Sequence, residues 1–302
     1  MLPALLTTVL FSLSVISGHR SAKLIGGTEA NFWRLTCATL FLSVWAFGFG
    51  IGVGGAAFGW FFFSGVMGIG LGDVALFQAL PRLGSRLSLL LIQCLTAPIG
   101  ALIEWVWLGT SLTWLQLVGG AAILLGVGVA LRPSEDLRIT PRDKWVGIAS
   151  SIAAAAGGAF GAVLSRKAYR VTHDAGERLD GANAAFQRIL GGLLIGGICL
   201  LIVKRRHLFR HEGLGTKAAG EKWRRVWHWV LANSLAGQTI GVSCMQWALE
   251  TTPTGLVLAI IATTPIVVIP FAMLFEKERP NAQALLGGAI AVAGVVLLIL
   301  TR

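Results

Sequence analysis

The chain has 302 residues, 55% of them hydrophobic and 13% charged, with a mean hydropathy of +0.75 and a formal net charge of +11. A soluble domain carries about a quarter charged residues, so this composition excludes a surface covered by solvated groups and points to a polytopic helical membrane protein. The excess of positive charge does not mark a nucleic-acid partner, because the lysines and arginines sit in short stretches between apolar runs, where they set topology and meet anionic headgroups.

A spanning helix needs about 20 mainly apolar residues. Ten such segments are predicted, at 2–18, 30–48, 57–78, 86–107, 113–131, 145–165, 183–203, 226–248, 254–275 and 281–300. The first, "LPALLTTVLFSLSVISG", has neither a basic start nor a small-x-small cleavage site, so it reads as a span rather than a signal peptide. Connections are short and the longest hydrophilic stretch is 204–225, which leaves no room for a soluble domain. Function is therefore expected within the bilayer. Cys37, Cys94, Cys199 and Cys244 all fall in apolar segments without C-x-x-C spacing and read as packing residues. Trp223, Trp227 and Trp229 open the eighth segment, the place of an aromatic belt.

The two halves echo one another. "ALIEWVWLGTSLTWLQLVGGAAILLGVGVAL" (101–131) aligns with "IPFAMLFEKERPNAQALLGGAIAVAGVVLLIL" (269–300), and Gly119, Gly120 and Gly126 match Gly287, Gly288 and Gly294 at a constant offset of 168. "TAPIG" (96–100) matches "TTPIV" (263–267), and "NFWRL" (31–35) matches "AFQRI" (185–189), in the same order. The expected fold is all-α and integral to the membrane: two five-helix repeats, 1–133 and 144–302, joined by "RPSEDLRITPRDK". Five is odd, so the second copy enters the membrane from the opposite side, the inverted-repeat plan of many secondary transporters.

Arg34 near the start of the second helix, the five-plus-five helices and the "LG-x-x-L-T-x-x-Q-x-x-G" run that closes a half (108–119) resemble the drug/metabolite transporter superfamily, EamA type. The resemblance implies a ten-helix transporter of a small metabolite, such as an amino acid or related solute, working as an exporter without a cofactor. That pattern usually has Glu nine residues before the terminal-helix glycine; Glu278 fits it, whereas the first half has Thr110. Relatives have both termini in the cytoplasm. Here the loops after odd-numbered helices carry 18 Lys and Arg against 5 on the other side, which places both termini outside.

Ionisable groups within a span cost about 2.5–3.5 kcal/mol on insertion scales and are functional suspects by default. Arg34 and Arg188 occupy matching positions, expected in the first turn of their helices, either at opposite ends of a central cavity or snorkelling to headgroups. Asp73 is read first as a partner of Arg34, Arg82 or Arg86, and second as a proton-coupling carboxylate. Glu104 is expected at the interface. Pro98 and Pro265 are expected to kink the fourth and ninth helices and free a carbonyl one turn back. Gln78, Gln93, Gln187, Gln238 and Gln246 are intramembrane amides that complete the set of cavity candidates. Ser64, Gly68 and Gly72, like Gly192 and Gly196, have the small-xxx-small spacing of close helix approach. His207 and His211 lie among cations and make poor metal ligands. The charged "FEKERP" (275–280) separates the last two helices as a loop.

Among function classes, an intramembrane enzyme lacks a Ser–His or paired-Asp set, and no nucleotide-binding module is present to use ATP directly. A secondary transporter is the leading expectation, with a translocase of a lipid-linked carrier and a membrane sensor or assembly protein as the alternatives. Its partners are a small-molecule substrate and the lipid bilayer, with no metal and no nucleic acid; a homodimer is compatible with it.

Overall fold

The computed structural model describes residues 1–131, 140–208, 216–268 and 282–301. The "FEKERP" stretch, His211 and most of the joining segment between the halves lie outside the described residues. Among the described residues every regular element is helical. The first is α1 (Leu2–Ile25), which starts with Pro3 in its opening turn, where a missing N–H costs nothing. It ends at Gly26, whose φ of 87° suits glycine alone and turns the chain directly into α2 (Gly27–Gly48).

The turn between the third and fourth segments is tight: local backbone bonding stays helical through α3 (Phe58–Gly65), a π-helical stretch (Val66–Leu71) and α4 (Gly72–Leu108), yet the path reverses, since Gly68 and Gly72 pack on Gly161 and Gly157 whereas Leu83 meets Gly147 and Leu108 meets Arg170. Two membrane-length apolar segments, Phe58–Leu80 and Ser88–Leu108, lie within it. Both limbs pack on α6 (Pro141–Asp174), 34 residues long, the first antiparallel to it and the second parallel. Gly109, left-handed at φ 68°, ends α4.

After α5 (Trp114–Leu131), α6 begins four residues earlier than predicted because Thr140 caps it, accepting from the Asp143 N–H at 3.2 Å ahead of Pro141. Then come α7 (Gly181–Leu208), capped by Asp180, and α8 (Thr216–Asn233). A second π-helical stretch (Ser234–Gly241), α9 (Val242–Thr251), α10 (Thr254–Ile261) and α11 (Ala282–Leu300) complete the order. The π-helical stretches start at Val66 and Ser234, 168 positions apart.

Five segments among the described residues are long and apolar enough to cross a membrane by length and composition: Leu2–Ile25, Phe58–Leu80, Ser88–Leu108, Pro141–Asp174 and Gly181–Val203. Packing joins the halves: α2 lies on α7, α3 and its π-helical stretch on α6 and α7, α1 on α8 through α10, and α5 on α11. The α5–α11 seam is built of repeat glycines. Gly119 faces Gly294, and Gly126 faces Gly287; a Cβ at Gly294 would stand 2.7 Å from the Gly119 carbonyl oxygen, and one at Gly126 2.5 Å from that of Gly287. Each helix thus presents the same pair of glycines to the other.

Candidate functional site

Four connections, 49–57, 109–113, 175–180 and 252–253, gather at one end of the helices. The Glu177 carboxylate accepts from the Ala56 N–H at 3.0 Å, and Asn183 Oδ1 from the N–H groups of Ile51 and Gly52 at 2.9 and 3.0 Å. Arg170 donates to the Leu108 carbonyl (2.7 Å) and to Thr110 Oγ1 (2.6 Å). Here α6, α7, the second π-helical stretch, α9 and the 175–180 connection border an open cavity of about 1200 Å³. Its lining carries both signs of charge, including Arg170, Arg178, Asp174 and Glu250, beside the aromatic rings of Tyr169 and Trp247. Burial, and then the nearby charge of Asp180, push the Glu250 carboxyl above its ordinary range.

Glu104, one turn from the end of α4, is shielded by partners: it is 1% exposed, and Arg166 Nε lies 3.1 Å from its Oε1. Its other oxygen accepts from the Thr254 N–H at the start of α10, while Arg166 donates to the carbonyls of Leu249 and Glu250 at the end of α9. The helix ends supply the reason, since a carboxylate is favoured at a helix N-terminus and a cation at a C-terminus. Arg166 and Arg170, expected in a connecting loop, are therefore held by interior partners within α6.

A line of polar groups runs inward from the cavity along the contact of α6 with α3. Tyr169, the chain's only tyrosine and 6% exposed, lines the cavity and packs its ring edge-on against Phe61 at 5.1 Å. One turn further, Ser64 Oγ and Ser165 Oγ are 2.7 Å apart, and Ser64 donates to the Gly161 carbonyl. Next comes Arg188, on α7. A Cβ at Gly68 would stand 2.6 Å from its Nη2, so the small residues read as helix contacts also make the notch that admits the guanidinium. Arg188 is 4% exposed, and its Nε and Nη1 have no hydrogen-bond partner among the described residues. Tyr169 and Asp73 lie within electrostatic reach of it.

The two repeat-matched arginines differ. Both are the eighth residue of their helices, two turns in rather than in the first turn, because α2 and α7 start earlier than predicted. Arg34 is committed: its Nη2 is 2.9 Å from Asp73 Oδ2, and its Nε donates to Asn31 Oδ1 at 2.7 Å. Arg188 has no such partner among the described residues, and both arginines approach the same carboxylate.

The remaining candidates divide as follows. Gln187 staples the 49–57 connection, its Nε2 donating to the carbonyls of Gly52 and Gly54 at 2.9 Å each. Gln78 is exposed and accepts from Arg82 at 2.8 Å. Gln93 is half-buried on α4, and Pro98 is exposed on the same helix, which continues through it. Gln238 and Gln246 are buried, with Gln238 Oε1 and both amide atoms of Gln246 unpartnered among the described residues. Pro265 lies just past an interruption: α10 stops at Ile261, whose carbonyl takes the Thr264 hydroxyl at 2.6 Å, the Ile260 carbonyl takes that of Thr263 at 2.6 Å, and helix resumes over 264–268 with Pro265 in its first turn. None of the ten candidates lines the cavity itself. Sequence reading missed Tyr169 and the pairing of Glu104 with Arg166; the signal for Tyr169 was a single phenol placed between Arg166 and Arg170.

The model of the EamA-like transporter family matches residues 1–132 and 145–300. A crystal structure of a protein matches this fold with a TM-score of 0.76 at 16% identity, covering 99% of this chain and 98% of its own. No curated protein matches the sequence.

Proposed function

This chain belongs to the EamA-like transporter family, within the drug/metabolite transporter superfamily, and on that premise we propose that it moves a small metabolite across the membrane as a secondary transporter by alternating access between two inverted five-helix repeats. The observation that carries this reading is a polar cavity of about 1200 Å³ at one end of the helices, continued inward by Tyr169, Ser165 and Arg188. A solute entering it meets charges of both signs and the Tyr169 phenol, beyond which Ser165 and Arg188 lie buried.

The repeat has independent support. In an inverted repeat, packing is self-complementary: if a residue of one copy meets a residue of the other, their counterparts meet too. Gly119 with Gly294 and Gly126 with Gly287 obey that rule under the offset of 168, and so does the paired start of the π-helical stretches. The interruption at 262–263, one turn before Pro265, has no counterpart before Pro98 in α4, an asymmetry of the kind a two-state rocking motion uses.

The basic residues, 18 to 5, favour both termini outside the cytoplasm, in a bacterial-type inner membrane. The cavity then opens outward, on the release side of an exporter. A reporter fused after Arg302 tests orientation: activity confined to a cytoplasmic reporter overturns it. Uptake and release of a metabolite panel by proteoliposomes tests transport, with saturable movement of at least one solute expected. If no solute moves, the transport reading fails.

A further inference from the structure

We infer that Tyr169, in the cavity lining, and Arg188, buried behind it, form an anion subsite that takes a single carboxylate group of the bound solute. The inference rests on the transport reading for its purpose but not for its chemistry. Charge comes first. Arg34 and Asp73 neutralise one another through a contact of 2.9 Å, which leaves Arg188 as the uncompensated charge of this interior group. A guanidinium that is 4% exposed is costly to keep unpaired, and Asp73 is already engaged by Arg34.

Hydrogen-bonding capacity comes second. Nε and Nη1 of Arg188 and the hydroxyl of Tyr169 all lack partners among the described residues. All three can donate, so the set matches an acceptor-only group. Charge-assisted bonds to a carboxylate are the stronger kind and answer the desolvation of the arginine. Position comes third: Tyr169 lines the cavity, one turn further Ser165 meets Ser64, and one turn beyond that the Gly68 notch holds the Arg188 guanidinium. The lining holds the acids Asp174, Glu177, Asp180 and Glu250, whereas Arg188 lies outside it. The acids deter an anion at the mouth, while the cation behind attracts one. A net charge of one on the interior group favours a monoanion over a phosphate dianion.

The test uses purified full-length protein in detergent and ligand titration by intrinsic tryptophan fluorescence. The probes are L-alanine, lactate and benzoate, each beside its amide. At least one acid is expected to bind about tenfold or more tightly than its amide. Arg188→Gln is expected to erase that preference, and Tyr169→Phe, which removes only a hydroxyl, to reduce it several-fold while leaving the melting temperature near that of the wild type. Should Arg188→Gln not fold, Tyr169→Phe decides. Equal binding of acids and amides, no binding by any acid, or an undiminished preference in Tyr169→Phe overturns the subsite. Solute movement in proteoliposomes is scored separately. Acid preference without movement sinks the transport reading and keeps the subsite; movement of neutral solutes without acid preference does the reverse.

Discussion

Glu104 and Arg166 meet at 3.1 Å, Oε1 to Nε, and together they close the gap between α9 and α10. The carboxylate holds the first N–H of α10, and the guanidinium holds the last carbonyls of α9, so each charge faces the helix end that favours it. Both side chains are largely shielded, at 2% and 14% exposure. Removing one partner leaves the other buried and unpaired, which costs about 3–5 kcal/mol. Glu104→Ala is thus expected to lower the melting temperature in detergent markedly, and Glu104→Gln, which keeps an acceptor for Thr254, to lower it less. Equal melting of wild type and Glu104→Ala would remove this pair from the account.

The seam between α5 and α11 depends on backbones in contact at glycine. Gly126→Val and Gly287→Val each place branched carbon against the facing backbone, at an expected cost of about 1–3 kcal/mol from overpacking. Gly120→Val is the control, since no atom lies within 4 Å of a Cβ there. Thermal unfolding of the three variants checks the seam; a loss in Gly120→Val as large as in Gly126→Val contradicts it.

The 49–57 connection is held by side chains of α7 rather than by regular structure. Asn183→Ala removes the acceptor of two backbone N–H groups and a donor to the Gly52 carbonyl, and Gln187→Ala frees the carbonyls of Gly52 and Gly54. Each is expected to cost about 1–3 kcal/mol locally. Hydrogen exchange should report faster labelling confined to 49–57, and unchanged exchange there would show that other contacts hold the connection.

Cys244 lines the cavity, and Cys37, Cys94 and Cys199 do not. A charged, membrane-impermeant thiol reagent is expected to modify Cys244 first and to slow solute movement, with Cys244→Ser resistant. Mass spectrometry of the labelled protein locates the adduct. Labelling that spares Cys244 would mean that the cavity is closed to water.

The sequence made the membrane class legible through composition, and the helices through runs of apolar residues, because both are one-dimensional quantities. Helix ends were less so. The Thr140 cap extends α6 past the point where hydropathy falls, and a cap does not show in a count of apolar residues. The Arg34–Asp73 pair was within reach, since an intramembrane carboxylate needs a cation and few were near. The Glu104–Arg166 pair was not, because the partners are 62 positions apart and each stands near a predicted helix end. Arg34 and Arg188 looked alike for the same reason: register along a helix is visible in sequence, but the presence of Asp73 beside one of them is a three-dimensional fact.

The central claim is that the cavity is a solute path, and blocking it tests that most directly. Sealed proteoliposomes preloaded with a labelled panel of small metabolites are compared for wild type and for Ser243→Trp, which places an indole in the cavity lining. The account predicts saturable release of at least one solute by wild type, with release near that of protein-free vesicles for a Ser243→Trp protein that melts like wild type. No release by wild type, or equal release by the two proteins, would contradict it.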